Sequence, residues 1–209
     1  IGSGSDSDSG NYVGGVCGYN DRGTITGCYS TGSVSGSGSY VGGVCGFNSS
    51  GTITGCYNIG TVSGSGNFVG GVCGFNSGTI TSCYYNSDKF TGNAVNNVGG
   101  NATDVEGKTT TQFANGDVCS LLNKALKDEN ASVRFYQGVS YPELIMNVPS
   151  LDGEVYQISN KEELYAFALF VNNVDASANA VLTADITVNT NLLALIDEDG
   201  NIKDGKTVE

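Results

Sequence analysis

One sequence unit occurs three times between residues 11 and 85, and this repetition constrains the fold more than any other feature. Its first part, Val-Gly-Gly-Val-Cys-Gly followed by an aromatic residue and Asn, begins at Val13, Val41 and Val69. Its second part, Gly-Thr-Ile-Thr, begins at Gly23, Gly51 and Gly78. Tyr12 precedes Tyr40 by 28 residues, and Tyr40 precedes Phe68 by 28 residues. Self-similarity at a fixed period of this size indicates a solenoid or a related array.

Each repeat contains short stretches rich in Val, Ile, Tyr and Thr, separated by Gly, Ser and Asn, which is the pattern of strands and turns. Coils stacked one strand spacing apart would pair their backbones and place equivalent residues in rows. The expected interior rows are Val16 over Val44 over Val72, Ile25 over Ile53 over Ile80, and Val34 over Val62. The Gly-Gly pair of each repeat suits a close approach of two backbones. A sandwich of hairpins is the alternative, but it does not require near-identical units. The sequence therefore favours a mainly β fold with a short parallel β-solenoid of three coils.

The repeated sequence resembles the GLUG motif of bacterial surface proteins, which include adhesin-like proteins and certain IgA-cleaving peptidases. Val-Gly-Gly-Val-Cys-Gly-Phe-Asn followed by Gly-Thr-Ile-Thr-Gly-Cys-Tyr carries the resemblance. The usual motif reads Gly-Gly-Leu-Val-Gly, so Val and Cys occupy apolar positions that are normally filled otherwise. The resemblance covers residues 11–85 and implies a surface repeat without catalytic residues. It also implies a secreted or cell-surface location, which nothing else in the sequence indicates.

The charge of the chain excludes two classes of partner. The 209 residues include 21 acidic and 9 basic residues, a formal net charge of −12. Such a chain lacks the basic surface that binds nucleic acid or an anionic membrane. It contains no apolar run long enough to span a bilayer. Residues 1–10 form a polar lead-in without signal-peptide features, so the chain is interpreted as a mature or excised piece.

Composition divides the chain into three parts. Between residues 11 and 83 only Asp21 and Arg22 are charged, whereas the chain from Asp88 onward has an ordinary, acidic composition. Residues 1–90 are assigned to the GLUG-type solenoid, residues 91–150 to a C-terminal cap with its connection, and residues 151–209 to the start of a further module.

The expected cap contains one amphipathic helix. Residues 91–111 are interpreted as an irregular connection, after which Asn115 or Asp117 begins the helix. Its apolar stripe is expected to comprise Val118, Leu121, Leu122, Ala125 and Leu126. A helix of this length is marginal alone, so it should dock on another surface. The open end of the solenoid is the expected acceptor, since terminal coils require caps.

The last part is predicted to be a small α+β unit of strand-helix-strand order. Val155–Ile158 forms the first strand, and Ser159 with Glu162 fits a capping box for a helix that runs to about Asn172. Leu164, Phe167, Ala168 and Val171 are expected on the buried face of this helix. Alternation of apolar and polar residues from Leu182 to Val188 predicts a half-buried strand. This order resembles the N-terminal cap that opens modules in GLUG-type surface proteins.

The cysteines form two repeat rows and one isolated position. Cys17, Cys45 and Cys73 form one row, and Cys28, Cys56 and Cys83 form the other, with Cys119 alone. Rows do not converge on a point, and the chain has no histidine, so a zinc site is not expected. Stacked neighbours lie within the Cα distance that a disulfide permits, but their parallel Cβ vectors disfavour the bond. We expect the first row to be unbridged and buried, while pairing within a coil remains the alternative.

Two sets of outward-facing residues are candidates for binding. The threonine rows would form a flat hydroxyl array, as in some ice-binding solenoids, and comprise Thr24, Thr26, Thr52, Thr54, Thr79 and Thr81. Outward threonine is also the ordinary choice for a solvated strand. Tyr29, Tyr57 and Tyr84 could form an exposed aromatic strip for glycan stacking, or they could be partly buried ladder residues.

Nothing in the repeats indicates catalysis. The coils supply only one carboxylate, Asp21, whereas glycoside cleavage uses two at a fixed separation. The acidic turn at residues 197–201 lacks the spacing of an EF-hand loop, so no metal and no cofactor are expected. The sequence thus favours a non-enzymatic adhesive or spacer module, with a host or matrix glycan or protein as partner. The alternatives are an accessory region of a larger secreted peptidase or carbohydrate-active enzyme and, third, ice binding.

Overall fold

A computed structural model describes residues 12–186, and strands dominate it. The first coil contains β1 (Tyr12–Gly14), β2 (Cys17–Asp21), β3 (Thr24–Thr26), β4 (Tyr29–Ser30) and β5 (Val34–Gly36). The second contains β6 (Tyr40–Gly42), β7 (Cys45–Ser49), β8 (Thr52–Thr54), β9 (Tyr57–Asn58) and β10 (Val62–Gly64). The third contains β11 (Phe68–Gly70), β12 (Cys73–Asn76) and β13 (Thr79–Asn86).

The coils stack as a parallel β-solenoid, which confirms the predicted fold class. Every strand of the first coil pairs in parallel with the equivalent strand of the second, and the register joins equivalent residues. Tyr12 lies beside Tyr40, Ile25 beside Ile53, and Val34 beside Val62. The third coil continues the same register, with Ile80 beside Ile53. The repeat period therefore sets the strand register directly.

A fourth, incomplete coil follows the third, so the expectation of an irregular connection at residues 91–111 was wrong. β14 (Val95–Val98) pairs in parallel with β12, and β15 (Asn101–Lys108) pairs in parallel with β13. Val95 lies beside Cys73, and Val105 lies beside Cys83. The repeat sequence has disappeared from this segment, but backbone hydrogen bonds to the third coil require no side-chain identity.

The Gly-Gly pairs allow the close backbone approach that the sequence predicts. A Cβ atom on Gly42 would overlap the carbonyl oxygen of Cys45 within the same coil. A Cβ atom on Gly43 would overlap the carbonyl oxygen of Gly71 in the next coil. The chain can therefore bend sharply at this corner and still stack at strand spacing only when both residues lack side chains.

The solenoid interior is filled by stacked rows of small apolar residues. Val44, Val72, Ile53 and Ile80 are fully buried in one core cluster that also contains cysteines of both rows. Val16 was expected in this interior row but is 37% exposed, because within the described residues no coil covers the first one. Position along the stack, and not the residue type, decides its burial.

The helical cap lies against the side of the solenoid, which corrects the prediction that it closes the open end. It comprises α1 (Thr110–Ala114), α2 (Asp117–Asp128) and the antiparallel hairpin of β16 (Val133–Gln137) and β17 (Pro142–Met146). Leu126 of α2 packs on Gly27 and Gly55, two glycines with left-handed backbones at equivalent corners. The missing side chains at these corners make room for the helix.

The start and the stripe of α2 agree with the sequence prediction except at one position. Val118, Leu122 and Leu126 are buried, but Leu121 is 37% exposed and Cys119 takes its place in the interface. The helix is therefore rotated slightly from the orientation that the apolar residues alone indicate. The thiol of Cys119 donates a hydrogen bond to the carbonyl oxygen of Phe135 on the hairpin, at 3.4 Å.

The unit after the cap has the predicted strand-helix-strand order. β18 (Ser150–Asp152) pairs antiparallel with β19 (Val155–Ile158), and α3 (Lys161–Asn173) connects β19 to its parallel neighbour β20 (Asn179–Leu182). The strand predicted at residues 182–188 thus begins earlier and ends at Leu182, which is 58% exposed. Residues 187–209, including the acidic turn at 197–201, lie outside the described residues.

Two details of α3 differ from the prediction. The N-cap is Asn160, not Ser159, because the Asn160 side chain accepts a hydrogen bond from the backbone N–H of Glu163. Glu163, not Glu162, reaches back to the backbone N–H of Ser159. The buried face consists of Ala166 and Phe170, with Phe167 packed beside them, whereas Ala168 is exposed.

We predict that Leu122→Ala destabilises the protein far more than Leu121→Ala. Leu122 is fully buried between α2 and the solenoid, and its truncation leaves a cavity that costs about 2–5 kcal/mol. Leu121 is the matched control on the adjacent helix position, where exposure limits the loss to about 1 kcal/mol or less. Urea unfolding measures both variants. Equal losses would show that α2 does not dock on the solenoid through this face.

Candidate binding surface

The tyrosine strip expected to bind glycans is covered by the cap. Tyr57 is fully buried, Tyr84 is 2% exposed, and Tyr29 is partly buried. These three residues, the inner tyrosine ladder, stack in register and contact Phe113, Phe135 and the apolar face of α2. The assignment of Tyr29, Tyr57 and Tyr84 as a surface strip was therefore wrong, and their role in the described structure is to anchor the cap.

The inner tyrosine ladder makes polar as well as apolar contacts inside this interface. The Tyr57 hydroxyl donates a hydrogen bond to the carbonyl oxygen of Pro142 on the hairpin. Burial raises the pKa of Tyr84 to about 12, with a further contribution from the carboxylates of Asp104 and Glu106. The ammonium of Lys108 lies 5.7 Å from the centre of the Tyr84 ring.

The threonine rows do not form a flat, fully exposed array. Thr24 and Thr52 are exposed and Thr79 is partly exposed, as expected. Thr54, however, is only 3% exposed, and Thr26 and Thr81 are partly buried. α2 lies over the second threonine of the pair, since Thr54 and Thr81 line a hollow together with Leu121 and Ala125 of this helix. Thr54 is thus withdrawn from solvent and Thr26 and Thr81 partly so, and the six residues do not present the fully exposed hydroxyl array that the sequence predicts.

A different aromatic surface is exposed on the coils. Tyr12, Tyr40 and Phe68 stack in register, with ring centres 5.2 and 5.1 Å apart. A second row lies beside the first, and each of its rings contacts a ring of that row at 5.1–5.4 Å. We call the two rows together the outer aromatic ladder; its members are Tyr12, Tyr40, Phe68, Tyr19, Phe47 and Phe75.

The rings of the outer aromatic ladder are positioned rigidly and remain accessible. Within the first row the interplanar angles are 12° and 10°, so the rings form offset stacks, the favourable geometry for aromatic pairs. Tyr19 is 45% exposed, and the other members are partly exposed. The ladder carries hydroxyl groups on both rings of the first coil and on Tyr40 of the second. Phe47 of the second coil and both rings of the third, Phe68 and Phe75, are purely apolar. The surface therefore combines an apolar strip with hydrogen-bonding groups at one end.

Sequence reasoning overlooked this ladder although the signal was present. In every repeat, one aromatic residue directly precedes Val-Gly-Gly and another directly precedes the Asn that follows Cys-Gly. The tyrosines of the inner tyrosine ladder also recur once per repeat. All three rows have the same periodicity. Only the position of the cap, which depends on residues 110–146, decides which row stays accessible.

A buried row of asparagines fixes the strands that carry the second aromatic row. The Asn20 side-chain amide donates to Oδ1 of Asn48, and the Asn48 amide donates to Oδ1 of Asn76, each at 2.8 Å. The Asn76 amide donates to the carbonyl oxygen of Asn101 in the fourth coil, at 2.9 Å. This asparagine ladder was not predicted. It follows each aromatic residue directly and so holds Tyr19, Phe47 and Phe75 in register.

The cysteines lie in the solenoid core and are all free thiols in the structure. Cys45 and Cys73 are fully buried, and Cys17 at the first coil is partly buried. A hydrogen bond with the Cys73 thiol and burial raise the pKa of Cys45, and burial raises the pKa of Cys56. Such thiols are poor nucleophiles, because the thiolate is the reactive form.

The described residues offer little that could support other chemistry. Within residues 12–186, no group of three or more cysteine, aspartate or glutamate residues is arranged to hold a metal ion. Asp21 and Arg22 pair with each other at 3.2 Å on the surface of the first coil. None of the helices in this part of the chain is long and apolar enough to cross a bilayer.

Comparison with known proteins supports the repeat assignment. The family model of the GLUG motif matches residues 9–35, which cover the first repeat. This match confirms the resemblance to GLUG-motif repeat proteins, and the same residue pattern recurs in the second and third coils. A search of curated proteins and a search of solved structures each found no match.

We predict that the protein loses stability at alkaline pH. The folded state raises the pKa of Cys45 and Cys56 above the ordinary value of 9.0, so only the unfolded chain ionises them near that pH. Their contribution is complete below pH 9 and is lost as the pH rises further. By linkage, ionisation of the two thiols in the unfolded chain lowers the free energy of unfolding by on the order of 3 kcal/mol between pH 7 and pH 10.

Urea unfolding under reducing conditions at pH 7, 8.5 and 10 measures this change. A thiol count in the denatured, unreduced protein accompanies it and should give seven free thiols. An unfolding free energy that is constant up to pH 10, or a count that reveals disulfides, would contradict the description of the cysteine rows.

Proposed function

We propose that this chain is a non-enzymatic adhesive module of a secreted or cell-surface protein, and that it binds a neutral glycan along the outer aromatic ladder. The observation that carries the proposal is this row of partly exposed rings on coils that hold almost no charge. Its uncovered position contrasts with the inner tyrosine ladder, which packs beneath the cap.

The geometry favours a linear ligand. The rings recur once per coil at about 5 Å, so a polymer that lies along the solenoid axis meets a similar surface at each coil. The C–H groups of a pyranose ring can pack against the exposed parts of these aromatic rings, and its hydroxyl groups can bond to phenol groups such as that of Tyr19. Since the stacked strands fix every ring, binding requires little ordering of the protein side chains.

The charge of the surface favours a neutral ligand. Among residues 12–83 only Asp21 and Arg22 are charged, and they neutralise each other. A polyanionic ligand would find no cationic partner on these coils, and the net charge of −12 would repel it. The same scarcity of charge supports the non-enzymatic part of the proposal, because acid-base cleavage of a glycan requires two positioned carboxyl groups.

Sedimentation with insoluble polysaccharides tests the proposal. We expect the protein to bind at least one neutral polymer among cellulose, chitin, xylan and β-1,3-glucan. It should not bind polyuronates. Tyr19→Ala should weaken this binding about tenfold, which corresponds to about 1.4 kcal/mol. Tyr165→Ala is the matched control, since Tyr165 is 55% exposed on α3, outside the coils. It should bind as the parent does.

Two outcomes would overturn the proposal. Binding to none of the neutral polymers, or equal binding by the Tyr19 and Tyr165 variants, would remove the outer aromatic ladder as a glycan site. Release of reducing ends from any of these polymers by the purified protein would contradict the non-enzymatic assignment. Circular dichroism of each variant establishes that the solenoid is folded before binding is compared.

A further inference from the structure

Among the described residues 12–186, the first coil lies at one edge of the solenoid. Within residues 12–186, each strand from β1 to β5 has a partner on one side only, the equivalent strand of the second coil. Residues at this edge are more exposed than their equivalents below, as Val16 is 37% exposed and Val44 is fully buried. A hollow of about 380 Å³ opens on the first coil, and its lining includes Val13, Tyr29 and Val34.

The hydrogen-bonding groups of this edge are arranged for one more coil. The amides of Thr52, Tyr57 and Ile59 donate upward to carbonyl oxygens of the first coil, at 2.9, 3.1 and 2.9 Å. The third coil repeats this arrangement, since the amides of Thr79 and Tyr84 donate to carbonyl oxygens of the second.

By this equivalence, three amides of the first coil point away from the stack. They belong to Thr24, Tyr29 and Thr31, the equivalents of Thr52, Tyr57 and Ile59, and within residues 12–186 no strand lies on that side of the first coil to accept from them. The asparagine ladder ends in the same way, because no described residue donates to Oδ1 of Asn20.

The contact between the first and second coils shows how a coil would pack on this edge. The upper face of the second coil has nearly the same sequence as that of the first, and it is covered by a coil of the same repeat. Val44 and Ile53 become fully buried in that contact. A surface with the same residues and the same backbone geometry accepts the same partner for the same physical reasons.

The opposite end of the solenoid is protected, unlike this one. β15 carries Asp104, Glu106 and Lys108, and most of its residues are exposed. Charged side chains on an edge strand oppose the addition of another strand. Apart from the Asp21–Arg22 pair, the first coil carries no such charge.

We propose that the edge of the first coil is a docking surface for one further coil of the same 28-residue repeat, added in parallel and in register. The partner is a polypeptide segment with the Val-Gly-Gly-Val-Cys-Gly-Phe-Asn and Gly-Thr-Ile-Thr sequences. Its asparagine amide would donate to Oδ1 of Asn20, and its carbonyl oxygens would accept from the three unpaired amides. This surface is separate from the outer aromatic ladder and does not depend on glycan binding.

The test adds a coil before the first one. A second copy of residues 39–66 replaces residues 1–10 and leads directly into Asn11, which reproduces the junction between natural repeats. Amide hydrogen exchange is then measured at Thr24, Tyr29 and Thr31. We expect their exchange to slow by at least about tenfold and to approach that of Thr52, Tyr57 and Ile59.

A matched control carries the same added copy with aspartate at its equivalents of Val41 and Val44. These two residues are fully buried in the natural second coil, so the altered copy should not stack and the three amides should exchange as in the parent. Exchange at Thr52 and Tyr57 reports whether the parent coils remain folded in each protein. If either fusion disrupts them, the peptide of residues 39–66 is added to the unmodified chain, where the same slowing is expected.

Three results would overturn the proposal. In the fusion with the intact copy, the amides of Thr24, Tyr29 and Thr31 could still exchange rapidly while the parent coils are folded. That result would show that the edge does not accept the repeat. Equal slowing by the intact and the aspartate-bearing copies would exclude specific stacking. Slow exchange in the unmodified chain would mean that another occupant already covers the edge, and sedimentation with and without residues 1–10 would identify it as a second copy or as that segment.

Discussion

The asparagine ladder is the interaction on which the register of the solenoid depends. A buried amide group without a partner costs about 1–3 kcal/mol, and Asn48 and Asn76 are both fully buried. The Asn48 side chain bonds both to the backbone of its own coil, at the carbonyl oxygen of Gly51, and to the asparagines of the adjacent coils. The contacts between asparagines form only when equivalent residues lie directly above one another. Apolar rows would tolerate a shifted register better, since Val and Ile contacts are not directional. The asparagine ladder therefore favours the register with a 28-residue offset over registers shifted by one or more residues.

The other features of the coils follow from that register. Once equivalent residues stack, two glycines at each corner allow the chain to turn at strand spacing, and small residues such as Cys45 and Val44 fill the narrow interior. The aromatic residues that recur in the repeats lie on the outside in rows, whereas Tyr85 at the end of the third coil is buried in the same cluster as Val44. The inner tyrosine ladder anchors the cap through Tyr57 and its neighbours, and the two rows of the outer aromatic ladder remain partly exposed. The same stacking rule thus generates both an internal interface and a candidate binding surface.

The fold of the repeats could be predicted from the sequence because identical spacing and parallel stacking imply each other. The fourth coil could not, because Val95 and Ala102 replace Cys and Ile there and only the backbone ladder continues. The binding surface was misassigned for a related reason. Tyr57 and Tyr40 have the same periodicity, and their exposure is decided by a cap whose docking depends on Leu126 meeting Gly55. Such a contact between distant segments has no local signal in the sequence.

The most direct test of the account is an NMR measurement of contacts between equivalent residues of successive coils. Nuclear Overhauser effects should connect the backbone of Tyr12 with that of Tyr40, and Ile25 with Ile53, in the pattern of parallel strands. The Asn48 side-chain amide protons should show contacts to both Asn20 and Asn76. Strong contacts between α-protons of neighbouring strands within one repeat would indicate antiparallel hairpins and would contradict the stacked architecture.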